Sequence, residues 1–212
     1  QLALVGDEPD VIIGCAGGGS NFAGISFPFV LDKMNGREIS ILPVEPKACP
    51  SLTRGPFGYD YGDTSRYTPL LAMYSLGHTF IPPAIHAGGL RYHGMAPTVS
   101  QLAHEGLIEP KSVSQLDAYR AGVLWARTEG HIPAPETCNA LAQVVSEAEK
   151  AREEGKEKVI LACFSGHGLL DLAAYDRYFS GQLTDADLDE REIDRAREML
   201  GKHPLPENLR SR

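Results

Sequence analysis

No stretch of this chain approaches the roughly 20 consecutive apolar residues that a membrane-spanning helix needs, which argues against a bilayer-spanning protein. Gln1 to Asp7 carry neither the basic cluster nor the long apolar core of a signal peptide, so the expected location is the cytoplasm. A basic excess is missing too: 20 Lys and Arg against 28 Asp and Glu give a net charge of −8, which argues against general nucleic-acid affinity and against an anionic membrane surface. Cysteine is scarce, and Cys15, Cys49, Cys138 and Cys163 have no close pairing. That spacing suits reduced thiols rather than a disulfide framework. His86, His93 and His167 do not fall into a metal-ligand cluster, and no metal is expected. Repeats and low-complexity segments are absent as well. What remains is 212 residues, 42% of them hydrophobic, enough to bury a sizeable core.

Within that ordinary composition one run stands out. Val11-Ile12-Ile13 reads as a buried strand, and Phe22 to Met34, stopped by Asn35-Gly36, as a helix. Gly14-Cys15-Ala16-Gly17-Gly18-Gly19-Ser20-Asn21-Phe22-Ala23-Gly24 joins them. Glycine has no Cβ, so this backbone can take positive φ and come close to a ligand, while Ser20 and Asn21 are natural caps for the following helix. Backbone N–H groups converging at the positive end of a helix favour a phosphate dianion. The same run also suits a tight turn that holds nothing. Two nucleotide motifs fail on spacing: counted from Gly17, Phe22 stands where the dinucleotide fingerprint wants its third glycine, and Ser20 follows Gly19 where a P-loop wants lysine. Glu45, closing the next apolar stretch Ile39 to Val44, could imitate a ribose-binding acid or be a strand-end carboxylate.

Strand, glycine turn, helix and strand over residues 10 to 45 make a parallel βαβ unit. From Pro46 to about Pro110 the pattern dissolves into Gly, Pro, Tyr and His, a long irregular insertion that either covers a site or packs on the surface. Regularity returns at Ser114-Gln115-Leu116-Asp117, a capping-box pattern opening a helix that runs to Arg127. Leu141, Val144, Val145 and Ala148 mark a second helix closed near Gly155, and Val159 to Cys163 reads as a buried parallel strand. From Asp185 to Gly201 acids lead and arginines follow, with Asp187 and Arg191 four apart, as on a surface helix. The tail from Pro204 to Arg212 is expected to be loose.

Residue for residue, the glycine run resembles the phosphate-cradling loop of pyridoxal-phosphate enzymes of the tryptophan synthase β-chain family, of fold type II. Glu129-Gly130-His131-Ile132-Pro133-Ala134-Pro135-Glu136 resembles a second family segment, and Leu161-Ala162-Cys163-Phe164-Ser165-Gly166-His167-Gly168 its serine-glycine loop. Tyr59 to Asp63 and Ala87 to Gly94 are similar to the longer, second variety of β-chain. Motifs in the family's order extend the resemblance from about Pro9 to Leu183.

The resemblance implies an α/β fold, a three-layer parallel sheet with helices on both faces, corresponding to the family's larger C-terminal domain and incomplete at its N-terminal side. It divides the chain into a cofactor-binding domain over 1–183 and a C-terminal helix and tail over 184–212. It implies pyridoxal 5'-phosphate as cofactor, with Gly17, Gly18, Gly19, Ser20 and Asn21 around the phosphate, Ser165 and Gly166 at the pyridine nitrogen and Glu136 near the ring hydroxyl. A serine there would give a neutral hydrogen bond and a weaker electron sink than a carboxylate, suiting β-elimination from a serine-type substrate. The reaction implied is condensation of L-serine, or an activated serine, with indole to L-tryptophan, in a homodimer that can pair with an α-chain. Lys33, Lys47, Lys111, Lys150, Lys156, Lys158 and Lys202 do not sit in a segment resembling the family's cofactor-attaching motif, so no catalytic residue is assigned; that lysine is expected upstream and the chain alone is expected to be inactive. Two rivals stand beside this: another β-eliminating or β-replacing enzyme of the cysteine or threonine synthase kind, and a nucleotide-binding regulatory module using Gly17 to Ser20 with Glu45.

Overall fold

The computed structural model describes residues 2–209; readings that touch Gln1 or residues 210–212 lie outside the described residues. In chain order the elements are α1 (Leu2–Val5), β1 (Val11–Cys15), α2 (Ser20–Met34), β2 (Ser40–Pro46), α3 (Ser51–Arg54), β3 (Phe57–Tyr61), β4 (Leu70–Tyr74), α4 (Pro97–His104), β5 (Lys111–Val113), α5 (Gln115–Glu129), α6 (Pro135–Glu154), β6 (Ile160–Ala162), α7 (Leu172–Phe179) and α8 (Glu190–Leu200). Four strands form a parallel sheet in the order β5-β2-β1-β6, with Val11 opposite both Ser40 and Ile160.

The continuous apolar run of β1 follows from its place in the middle of that sheet, where both faces are covered. Val11, Ile13 and Cys15, with Leu42 and Val44 of β2, pack with Ala140 of α6 on one face. Ile12 and Ile41 point the other way, onto Phe22 and Val30 of α2 and Val99 of α4. Burying each of these Ile or Leu side chains contributes on the order of 1.5–3 kcal/mol. The three-layer α/β arrangement expected from the sequence is therefore the one observed.

Three local readings change. Residues 159–163 do form a parallel strand, but β6 is short and only half-buried, because it pairs with β1 on one side and ends the sheet on the other. The insertion is less irregular than its composition suggests: β3 and β4 pair antiparallel, Phe57 opposite Tyr74 and Tyr61 opposite Leu70, and α4 packs behind them. Its strands escape a periodicity reading because the buried positions of β3 are Gly58 and Asp60 while Phe57, Tyr59 and Tyr61 are only half-buried. Finally, α8 starts at Glu190, so Asp187 lies outside it; Asp189 caps the helix by accepting from Arg191 N at 2.9 Å and also pairs with the Arg191 side chain. Leu200 of α8 covers Gly58, whose Cβ, if it had one, would stand 3.0 Å from that leucine.

Ser114 caps α5 as its sequence pattern indicates, accepting from Asp117 N at 3.2 Å. α6 begins at Pro135, well ahead of its first periodic apolar residue, and ends at Gly155 with φ 63°. No helix among the described residues is long and apolar enough to cross a membrane.

Candidate functional site

Parallel strands point their C-terminal ends at one rim of the sheet, and ligands of open α/β folds bind there. The glycine run leaves β1 at that rim. Gly19, at φ 98°, occupies the N-cap position of α2 in a left-handed conformation, and no side chain caps the helix. Ser20 and Asn21 therefore do not act as the caps expected of them. Ser20 is the first helical residue, and Asn21 turns its amide toward two thiols, accepting from Cys15 Sγ at 3.5 Å and donating to Cys163 Sγ at 3.5 Å. The opening N–H groups of α2 are thus left without a side-chain acceptor, which is the arrangement that suits an external anion.

The glycines differ in why they are glycines. A Cβ on Gly17 would stand 2.5 Å from Gly89 O and 2.8 Å from Leu90 Cα, so the insertion packs directly on this residue. A Cβ on Gly18 would meet only the Tyr92 ring, at 3.7 Å, an ordinary contact. Gly18 O also accepts from Ala96 N at 2.9 Å, a second link between loop and insertion.

The two other segments converge on the same rim. Glu136, in the first turn of α6, accepts from Gly89 N at 2.8 Å and so stands beside the residue that abuts Gly17. Thr137, fully buried, lies 2.9 Å from Ser165 Oγ and donates to Gly166 O at 3.3 Å. Cys15 Sγ is 3.6 Å from Ser165 Oγ. The segment before Glu136 is clamped to the serine-glycine loop by Ala134 N to Gly166 O at 2.8 Å and Gly168 N to Ile132 O at 2.7 Å, and braced from α7 by Tyr175 OH to Pro133 O at 2.6 Å. All the residues singled out by resemblance thus belong to one cluster. Thr137, Cys15, Cys163 and Gly89 join it without having been given a site role; Cys15, Gly89 and Cys163 lie inside the motif segments and Thr137 directly follows one.

The chemistry available is that of an anion cradle, a hydroxyl pair and a carboxylate. Burial pushes the Cys15 thiol up to about 11, although its bond to Ser165 pulls the other way, so it is a weak nucleophile. Ser165 has no imidazole on it: His167 Nδ1 accepts from Leu169 N at 3.2 Å. Glu45 is unavailable to a ribose. It is 1% exposed and accepts from Ser51 Oγ, Leu52 N, Thr53 N and Thr53 Oγ1 at 2.6–3.2 Å, capping α3; burial nonetheless pushes its carboxyl up to about 7. This removes the acid on which the nucleotide-module rival depended. Lys33, Lys111 and Lys150 lie in or at the end of α2, β5 and α6, and Lys47, Lys156, Lys158 and Lys202 follow β2, α6 and α8, all outside the loops of the cluster.

An uncapped helix start behind three glycines, with a hydroxyl pair at the same carboxyl edge of a parallel sheet, is an α/β arrangement that suits an anion. The sequence profile of the family described as "Pyridoxal-phosphate dependent enzyme" matches residues 2–166. The chain belongs to that family, whose cofactor is pyridoxal phosphate. It is 53% identical over 184 residues to the tryptophan synthase beta chain 2 of Methanothermobacter thermautotrophicus, covering 86% of this chain and 43% of that protein. Against the tryptophan synthase beta chain 2 of Thermotoga maritima the identity is 57% over 175 residues, covering 82% and 42%. The chain therefore spans less than half the length of these relatives. Among solved structures, a fungal L-serine ammonia-lyase from Rhizomucor miehei superposes with a TM-score of 0.56 at 14% identity, covering 94% of this chain and 53% of that one. A threonine deaminase from T.th. gives 0.56 at 18% identity, covering 79% and 51%. At such identities the likeness is one of fold.

Proposed function

We infer that this chain is the cofactor-phosphate-binding part of a tryptophan synthase β-chain of the second type, which as a whole condenses L-serine, or an activated serine, with indole to L-tryptophan. The observation that carries the reading is the uncapped start of α2 behind Gly17, Gly18 and Gly19, facing Ser165 and Glu136. Pyridoxal phosphate supplies an electron sink when bound. The loop and the first N–H groups of α2 hold its phosphate. Ser165, oriented by Thr137, offers a neutral hydrogen bond at the pyridine nitrogen, with Gly166 keeping the approach open. Glu136, oriented by Gly89 N, sets the charge near the ring hydroxyl. The high identity to two β-chains favours this over a cysteine or threonine synthase-like activity.

On this reading residues 1–183 form the cofactor-binding unit and 184–212 a C-terminal helix and tail, in a cytoplasmic lyase that works as a homodimer and can pair with an α-chain. Without a lysine in the cluster the chain by itself does not catalyse the condensation. Gly18→Val tests the core of the proposal, because the Cβ it adds meets only the Tyr92 ring, at ordinary contact distance. Equilibrium dialysis should show pyridoxal phosphate affinity falling at least tenfold with an unchanged circular dichroism spectrum. Unaltered affinity would sink the phosphate assignment.

A further inference from the structure

Outside the cluster the most connected group of buried titratable side chains lies in the insertion. Asp60 of β3 is 2% exposed, and its carboxylate accepts from Ser75 Oγ at 2.5 Å and from Tyr61 N at 2.9 Å, with His78 Nδ1 at 2.6 Å. His78 is itself 4% exposed, and its other nitrogen, Nε2, receives a hydrogen bond from Arg66 Nε at 3.1 Å. A guanidinium can only donate, so Nε2 carries the lone pair and Nδ1 the proton given to Asp60. His93 borders the same carboxylate at 4.0 Å but gives its Nε2 proton to Tyr61 O at 2.9 Å.

Arg66 is where this relay reaches the surface. Among the described residues it is the one non-glycine with positive φ, 61°, and it sits in a turn that is tied at every side. Asp63 accepts from Tyr67 N and Thr68 N, Thr64 Oγ1 donates to His78 O, and Gly62 N donates to Thr68 Oγ1 at 2.7 Å. Gly62 in turn accepts the Tyr92 hydroxyl at 2.5 Å, and the Tyr92 ring is the group that stands over Gly18.

We propose that Asp60, His78 and Arg66 are positioning residues for the cofactor loop: they lock the turn of residues 62–68, which through Gly62 holds the Tyr92 ring across Gly18 as one wall of the phosphate site. The idea rests on the phosphate reading above and adds to it a specific line of support that runs through an insertion rather than through the sheet.

The test uses the full chain and pyridoxal phosphate. Arg66→Gly removes the guanidinium and relieves the positive φ, so it costs little in backbone strain. Tyr92→Phe keeps the ring and removes its tether. Each should weaken binding about three- to tenfold, the range for one net hydrogen bond, and the double variant should be no weaker than either alone because both cut one line. Arg66→Gln should restore parental affinity, since its Nε2 lies the same number of bonds from Cα as the arginine Nε. Nitrogen-15 shifts should place the His78 proton on Nδ1. Parental affinity in Arg66→Gly, multiplicative losses in the double variant, no rescue by Arg66→Gln or a proton on Nε2 would each overturn the relay. Parental affinity in Gly18→Val would instead remove the phosphate reading, and this proposal with it.

Discussion

Neighbouring glycines here answer to different constraints, and substitutions separate them. Gly17 is the point where the insertion's backbone touches the loop, so Gly17→Ala should displace Gly89 and with it the partner of Glu136, lowering stability as well as binding. Gly18 faces only the Tyr92 ring, at an ordinary 3.7 Å, and should report chiefly on the ligand. Ser165 makes a sharper chemical test. If Ser165 meets the pyridine nitrogen as proposed, Ser165→Asp would put a carboxylate there, keep that nitrogen protonated and strengthen the sink; it would also bring a charge close to Thr137 and Cys15. In the assembled enzyme, tryptophan formation should drop and side chemistry such as transamination should rise, with Ser165→Ala costing less. Parental tryptophan rates and an unchanged cofactor spectrum in both variants would show that Ser165 does not contact the ring nitrogen.

At the level of elements, Glu45 shows how a residue that resembles a ligand can be a structural cap. Four donors from α3 fill its oxygens, which makes it a strand-end carboxylate and leaves nothing for a ribose. Burial raises its folded value to about 7 from an ordinary 4.5, so the protonated form is the one favoured by folding. Its contribution to stability is therefore fully present below about pH 4.5 and is lost as pH rises through 7, by about 3 kcal/mol at most. Urea melts at about pH 5 and about pH 8 should show this loss, and Glu45→Gln, less stable overall, should show a flatter profile; equal slopes in both proteins would assign the pH dependence elsewhere. What could be read from sequence follows the same logic. The β1-α2-β2 unit and the Ser114 cap were legible because period, cap and glycine stop agree. The β3–β4 hairpin was not, because its inward positions are a glycine under Leu200 and an aspartate bonded to histidine and serine. Ser20 and Asn21 were expected as caps because of their residue types, and neither caps: the helix start is left without a side-chain acceptor.

For the molecule as a whole, the sheet brings every resemblance-derived residue to one rim; among the described residues the lysine that follows a strand to that rim is Lys47, after β2, and no lysine lies in the glycine run or the serine-glycine loop. A covalent attachment to the cofactor aldehyde needs an amine held at that atom with its pKa lowered enough to be nucleophilic. Lys47, the lysine nearest in sequence to the end of β2, is exposed beyond that strand, and the remaining lysines belong to helix ends, an adjoining strand or charged turns. Such amines react slowly and without preference. Incubation with pyridoxal phosphate, borohydride reduction and peptide mapping should accordingly give scattered, substoichiometric labelling, with no tryptophan from serine and indole. Supplying phosphate as competitor should release the reversibly bound cofactor while leaving the scattered label unchanged, because the phosphate cradle and the reactive amines are different places. Stoichiometric labelling of a single lysine, abolished by phosphate and accompanied by tryptophan formation, would show instead that this chain carries a complete catalytic centre.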